Sequence, residues 1–272
     1  MNFGLLIIGD EILSGKREDK HLPKVIELLS ARGLALSWAR YVGDDPARIT
    51  ADLKDAFASG DVVFSCGGIG ATPDDHTRQC AAAALGVGLE LHPQARDLIL
   101  ERMRDMARER GVPYEPDRDD NRHRLNMGVF PIGAEIIPNP YNKIAGFAVR
   151  SGHRAQRGGV YFVPGFPVMA WPMIEWVLDT HYRDLRRAPG AGERSVIVFG
   201  AMEATLTPLM ETIEARFAGI KVFSLPSVDH PQYGRHIELG VKGDAAKLEA
   251  AYAELLVGLK SHDATLGPEL VR

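Results

Sequence analysis

Along this chain, short unbroken apolar runs alternate with longer segments in which apolar residues return every three or four positions. The first run, Phe3 to Ile8, ends in Gly9-Asp10-Glu11, the pattern of a strand buried on both faces and closed by a turn. Leu22, Val25, Ile26, Leu28 and Leu29 share one helical face between about Asp19 and Arg32, and Gly33 stops that helix. A second strand is expected from Leu34 to Val42, after which Gly43-Asp44-Asp45-Pro46 turns the chain into a helix carrying Ile49, Leu53, Ala56 and Phe57. Val62, Val63 and Phe64 form the third strand, and a helix is expected from Thr72 to Leu85, with Gly86 and Gly88 as its stop. Pro93 opens a further helix, Gln94 to Arg110, whose arginines interleave with Asp97, Glu101, Asp105 and Glu109 as on a solvated face. Val112 to Arg124 reads as an exposed loop. Met127 to Ile137, Ala145 to Val149 and Gly159 to Val163 read as strands, and Val168 to Arg186 as a helix that turns Trp171 and Trp176 toward the core or an interface. Strands alternating with helices in this way imply right-handed crossovers and a mostly parallel sheet covered on both faces.

The pattern breaks at Ala188-Pro189-Gly190-Ala191-Gly192, a linker that places one domain at 1–187 and a second at 193–272. Beyond it the expected order is a strand (Arg194 to Phe199), a helix (Glu203 to Phe217), two strands (Ile220 to Leu225, His236 to Lys242) and a helix (Ala245 to Leu259). This β-α-β-β-α order is that of a small α+β domain. His230 and His236 flank Tyr233-Gly234 and read as solvent-exposed loop histidines.

Composition narrows the function. A net charge of −4 and a pI near 6.1 give no basic footprint for nucleic acid. Cys66 and Cys80 are too few for a disulfide framework or a cysteine-based zinc site, which leaves reduced thiols in a cytoplasm. No basic segment and cleavage site precede the first strand, and no apolar run reaches the length of a membrane span.

The stretch Asp61 to Thr77, DVVFSCGGIGATPDDHT, is where strand, loop and helix meet. Gly67, Gly68 and Gly70 let main-chain amides approach a ligand, and the helix start behind them favours negative charge, so a phosphate fits. Thr72 is expected as the N-cap, Pro73 as the first helical residue and Asp75 as the acid of a capping box. Asp74 and Asp75 would repel that phosphate unless a divalent cation lay between, as Mg²⁺ does when held by one or two carboxylates and substrate phosphates. Carboxylates from two strand ends could hold it: Asp10 or Glu11, and Asp74 or Asp75. The loops Pro138 to Lys143 and Pro164 to Pro167 also fall at strand ends, where open parallel sheets bind ligands. Lys143 could neutralise a leaving phosphate or be an exposed loop lysine.

Three stretches, Gly9-Asp10-Glu11-Ile12-Leu13-x-Gly15, the loop from Gly67 to Thr77 and Val163-Pro164-Gly165-x-Pro167, resemble the competence/damage-inducible protein A (CinA) family, which carries a MoaB/Mog-like molybdopterin-binding domain. The resemblance covers residues 1–187 and implies a three-layer α/β/α domain; the smaller domain looks like that family's middle domain, and its C-terminal amidase domain is expected to be absent. It implies Asp75, Asp10 and Thr77 as catalytic residues. Gly67, Gly68, Gly70, Thr72, Gly9, Gly15, Asn139, Pro164 and Gly165 would bind ligand, and Asp10, Glu11, Asp74 and Asp75 would hold Mg²⁺, Mn²⁺ or Co²⁺. Ala71 stands where the family usually has proline, and His21 of Asp19-Lys20-His21 where it has a ligand-contacting asparagine. The implied activity is a metal-dependent pyrophosphatase on ADP-ribose-like substrates. The alternatives are a molybdopterin-binding or biosynthetic protein without hydrolysis, and a binding module that has lost chemistry. The expected partners are a nucleotide or pterin phosphate and, by resemblance, further copies in a homo-oligomer.

Overall fold

The computed structural model describes residues 1–150, 157–186, 191–262 and 264–271. Residues 188–190 of the expected linker lie outside the described residues. The chain forms two compact units, Met1–Arg186 and Arg187–Arg272.

In the first unit the elements run β1 (Phe3–Ile8), α1 (Asp10–Leu13), α2 (His21–Ser30), β2 (Leu36–Val42), α3 (Pro46–Ser59), β3 (Val62–Cys66), α4 (Thr77–Leu85), β4 (Leu89–Leu91), α5 (Pro93–Arg110), α6 (Asp119–Leu125), β5 (Val129–Pro131), β6 (Glu135–Ile137), β7 (Gly146–Arg150), β8 (Gly159–Val163) and α7 (Pro167–His181). Six strands form one sheet in the order β2-β1-β3-β8-β7-β6, parallel across the first four and antiparallel at β7 and β6. Strands β1, β3 and β8 are buried along their whole length, which is why they read as unbroken apolar runs.

The pleat divides their side chains between two cores. Leu5, Ile7, Phe64, Tyr161 and Val163 pack with Val25, Leu29, Ile174 and Val177 of α2 and α7. Leu6, Ile8, Val63, Val160 and Phe162 pack with Ile49 and Leu53 of α3, Ala81 of α4 and Ala95 of α5. The result is a three-layer α/β/α domain. In the second core Phe147 stacks on Phe162 with centroids 4.2 Å apart and on Phe130 at 4.7 Å.

Chain direction fixes where a ligand can bind. From β1 the chain crosses through α2 to β2 on one side and returns through α3 to β3 on the other. The strand order therefore reverses between β1 and β3, and the crevice outside their carboxyl ends is the topological switch point.

Several expectations are corrected. The expected strand Met127 to Ile137 is two short strands in different sheets, split by a turn at Gly133 (φ 85°), and β5 pairs with the unexpected β4. The loop Val112 to Arg124 contains most of α6, and the helix expected to reach Arg186 ends at His181.

The second unit is β9 (Ala191–Phe199), α8 (Glu203–Arg216), β10 (Ile220–His230), β11 (Gly234–Asp244), α9 (Ala245–Ser261) and β12 (Thr265–Val271), with an antiparallel sheet in the order β10-β11-β9-β12. Val196, Val198, Leu239 and Val241 pack with Leu206 and Ile213 of α8 and Leu255 of α9 in one core. The β-α-β-β-α expectation missed β12, an edge strand whose register slips between Leu266 and Glu269, around Gly267-Pro268. The histidines are strand residues: His236 is buried, and His230 stacks on Tyr233 with centroids 4.9 Å apart.

Truncating the middle ring of the aromatic stack, Phe147→Ala, is expected to cost about 3–5 kcal/mol. Urea unfolding monitored by circular dichroism checks this.

Candidate functional site

The switch point is built by four turns. At the end of β1, Gly9 donates its amide to the Val42 carbonyl at 3.0 Å. Asp10 and Asp44 then brace each other: the Asp10 amide donates to Asp44 Oδ2 at 2.9 Å, and the Asp44 amide to Asp10 Oδ1 at 3.1 Å. The Asp10 carboxylate thus ties the turn after β1 to the turn after β2.

At the end of β3 the glycines are required by close approach. A Cβ on Gly67 (φ 110°) would lie 2.2 Å from the Ile8 carbonyl oxygen, and one on Gly68 (φ 67°) would lie 2.1 Å from Thr77 Oγ1. Thr77 holds the loop from below, donating its hydroxyl to the Gly67 carbonyl at 3.1 Å and its amide to the Gly68 carbonyl at 3.0 Å. The expected helix start is corrected here. Asp75 reaches back to the Thr72 amide at 2.8 Å, as a capping-box acid does, but the Thr72 hydroxyl donates to Asp75 Oδ2 at 2.5 Å instead of accepting from the main chain. With the Gly70 amide on Oδ1 at 2.9 Å, the carboxylate closes a turn, and the helix begins at Thr77. Among the described residues no hydrogen bond engages the amides of Gly68, Ile69 and Ala71.

Beneath this loop lies a cation that the sequence reading missed. Arg78, 5% exposed, donates to the carbonyls of Gly70 and Asn126 and joins the glycine loop to the turn before β5. Burial pushes its guanidinium below the ordinary arginine value, against the charge of Asp75. The available signal was one arginine among the small residues of α4.

These turns enclose a cleft of about 670 Å³. Gly9, Gly67, Gly68, Gly70 and Thr72 line it on one side, and Pro164 and Gly165 on another. Glu11, Asp74 and Asp75 line it as expected, and so do Asp44, which the sequence reading placed in a turn, and Lys16 and Arg17, which it did not single out. Partial burial, followed by the charges of Asp10, Glu11 and Asp74, pushes the Asp44 carboxyl above the usual range, against the hydrogen bond from the Asp10 amide.

Other expected site residues do not line the cleft. Thr77 is fully buried, Asp10 accepts from the Asp44 amide through Oδ1 in the turn after β1, and Gly15 (φ 71°) shapes the turn after α1. Asn139 is buried and organises its own loop, donating to Asn142 Oδ1 and the Ile144 carbonyl and accepting from the Tyr141 amide. Its neighbours Asn142 and Ile144 face the cleft instead. Lys143 pairs with Glu101 and Asp105 of α5, each at 2.6 Å, and lies outside the cleft lining. His21 is buried and donates from Nε2 to the Gly165 carbonyl at 3.0 Å, fixing the loop after β8.

Carboxylate oxygens suit a hard divalent cation. No group of three or more His, Cys, Asp or Glu side chains among the described residues forms a ready cage, so ligand phosphates or water would complete the shell.

The family profile described as "Probable molybdopterin binding domain" matches residues 4–183. The chain belongs to this family. It is similar to a CinA-like protein of Anaeromyxobacter dehalogenans, 32% identical across 95% of this chain and 60% of that protein. A protein of Pyrobaculum arsenaticum is 28% identical across 94% of this chain and 93% of its own length. The chain thus spans 60% of the first CinA-like relative, and 44% of another from Anaeromyxobacter sp. strain K. Among solved structures, the CinA protein of unknown function from Thermoplasma acidophilum shares the fold, with a TM-score of 0.54 and 23% identity over 69% of this chain and all of that one. Among the described residues no helix is long and apolar enough to cross a membrane.

Because Asp75 accepts through both oxygens, Asp75→Asn leaves either the Gly70 or the Thr72 amide facing an NH₂ group. The expected cost is about 1–3 kcal/mol, with faster hydrogen exchange at residues 68–76 measured by mass spectrometry.

Proposed function

We propose that the cleft binds a phosphorylated small molecule and, with a divalent cation, hydrolyses a pyrophosphate of the ADP-ribose type. The observation that supports this most is the meeting of opposite demands in one cleft: the unengaged amides of Gly68, Ile69 and Ala71 favour an anion, while Glu11, Asp44 and Asp74 favour a cation. A metal-bound phosphate satisfies both. In this reading one or two of the cleft carboxylates Glu11, Asp44 and Asp74 hold the cation together with ligand phosphates or water, and Lys16 and Arg17 offset charge on a second phosphate. The cation, when bound, polarises a phosphoryl oxygen and lowers the pKa of the attacking water.

A second reading, molybdopterin binding without hydrolysis, is favoured by one observation. Asp75 and Thr77, expected as catalytic, are turned into the loop's own hydrogen bonds. They build a grip rather than present chemistry.

Protein stripped of metal, then supplied with ADP-ribose, FAD or NAD and Mg²⁺, Mn²⁺ or Co²⁺, decides between them. Metal-dependent release of AMP from ADP-ribose is expected, and Asp74→Asn is expected to slow it by roughly 10- to 1000-fold. Tight molybdopterin binding with no pyrophosphate cleaved would put the second reading first.

Asp44 supplies a pH test. Its carboxyl is raised in the fold, so its ionised form is disfavoured there. That cost is absent below the unfolded carboxylate value, grows as pH rises through this range and is complete above the folded value. Asp44→Asn is therefore expected to raise the melting temperature at pH 7 by about 1–3 °C and to change it little at pH 3. Added Mg²⁺ should narrow the gap at pH 7, because a bound cation offsets the same repulsion in the parent protein.

A further inference from the structure

One residue in the loop between β6 and β7 holds a conformation that its type disfavours. Lys143 has φ 67°, and among the described residues it is the one non-glycine residue in the left-handed region. A glycine would take that conformation without strain, so what lysine adds is a cation on a long stem. Its Nζ reaches α5, where Glu101 Oε1 and Asp105 Oδ2, one helical turn apart, each lie 2.6 Å away. Hydrogen bonds to Asp105 and Glu101 hold the ammonium above the ordinary lysine value, and the same contact holds the Asp105 carboxyl below the usual range. The helix is a firm anchor, because Ala95, Ile99 and Met103 on its other side are buried.

The strained residue sits between two that face the cleft, Asn142 and Ile144. Its amide donates to the Asn139 carbonyl at 3.0 Å and closes the turn. Asn142 Oδ1 accepts from Asn139 Nδ2 at 2.8 Å and from the Ile144 amide at 3.0 Å, while its Nδ2 reaches Met169 Sδ at 3.2 Å across the wall. Backbone strain persists only where the surroundings over-determine it, and ligand clamps are among the places where it collects. Two charge-assisted bonds to an anchored helix supply that restraint here.

We infer that Lys143 is a positioning residue for the cleft: clamped to Glu101 and Asp105, it fixes the turn that stands Asn142 and Ile144 in the wall, and it does not itself meet the ligand. The binding test below rests on the reading of the cleft as a phosphate site; the restraint of the turn does not.

Hydrogen exchange of the intact chain, read by mass spectrometry, and calorimetric titration with methylenediphosphonate and Mg²⁺ test it. Lys143→Met and the double variant Glu101→Gln/Asp105→Asn are each expected to speed exchange at residues 139–146 by about three- to tenfold, the scale of two exposed ion pairs, while β1 stays protected. Both are expected to weaken methylenediphosphonate binding by a similar factor, because a loosened wall must be ordered on binding. Lys143→Arg is expected to keep both readings at those of the parent. A lysine that met the phosphate directly would instead be released by the double variant and bind more tightly. That result, or unchanged exchange at 139–146 in both variants, overturns the positioning role. If methylenediphosphonate fails to bind the parent, the phosphate reading falls and the exchange rates alone decide the clamp.

Discussion

The first unit depends on how closely the ends of β1 and β3 approach one another. The Ile8 carbonyl and the Thr77 hydroxyl occupy the space where side chains on Gly67 and Gly68 would be, so the two strands can end side by side only if those positions are bare. Because the strand order reverses between them, this is also where the crossovers part to opposite faces and open a crevice. Packing and binding share one cause. A loop pressed this hard against its neighbours has its amides fixed before any ligand arrives, and that pre-organisation lowers the ordering cost of binding.

Charge is distributed around that loop in an arrangement that stability alone does not explain. Arg78 is buried beneath it with a depressed guanidinium, and Asp44 faces it with a raised carboxyl. Each shift marks a group whose charged form the fold holds at a cost, the pattern expected where a site is kept ready for a ligand. The two differ in kind. Arg78 has two carbonyl partners and acts as a strut, whereas Asp44 is surrounded by like charges that an incoming cation would neutralise.

Much of this was legible in the sequence, for reasons that can be named. Phe3 to Ile8 and Gly159 to Val163 are buried on both faces, so an unbroken apolar run identified each strand with its observed bounds. Segments governed by tertiary contacts were not legible. β12 pairs through a slipped register around a proline, and α6 sits in a polar stretch whose helix packs little apolar surface. In the site, the glycines and Asp75 stood out by spacing, yet local spacing does not reveal which way a carboxylate turns. Lys16, Arg17 and Phe166 look like ordinary surface residues until β1 and β8 bring their loops into one cleft.

The inward turn of Asp75 and Thr77 changes what their loss can mean. Replacing either residue disturbs the glycine loop whether or not the protein is a catalyst, because the same hydrogen bonds that shape the loop are removed. A dead variant at these positions is equally compatible with a hydrolase and with a passive grip. Glu11, Asp44 and Asp74 differ in that none of them accepts from the glycine loop's amides, although Asp44 accepts from the Asp10 amide and a hydrogen bond from Thr72 holds the Asp74 carboxyl below its usual range. Asn at position 44 keeps an oxygen for that amide, so the turn survives while the charge disappears. Chemistry and architecture separate at the acids that do not shape the glycine loop, even though the sequence pattern draws the eye to Asp75 and Thr77, which do.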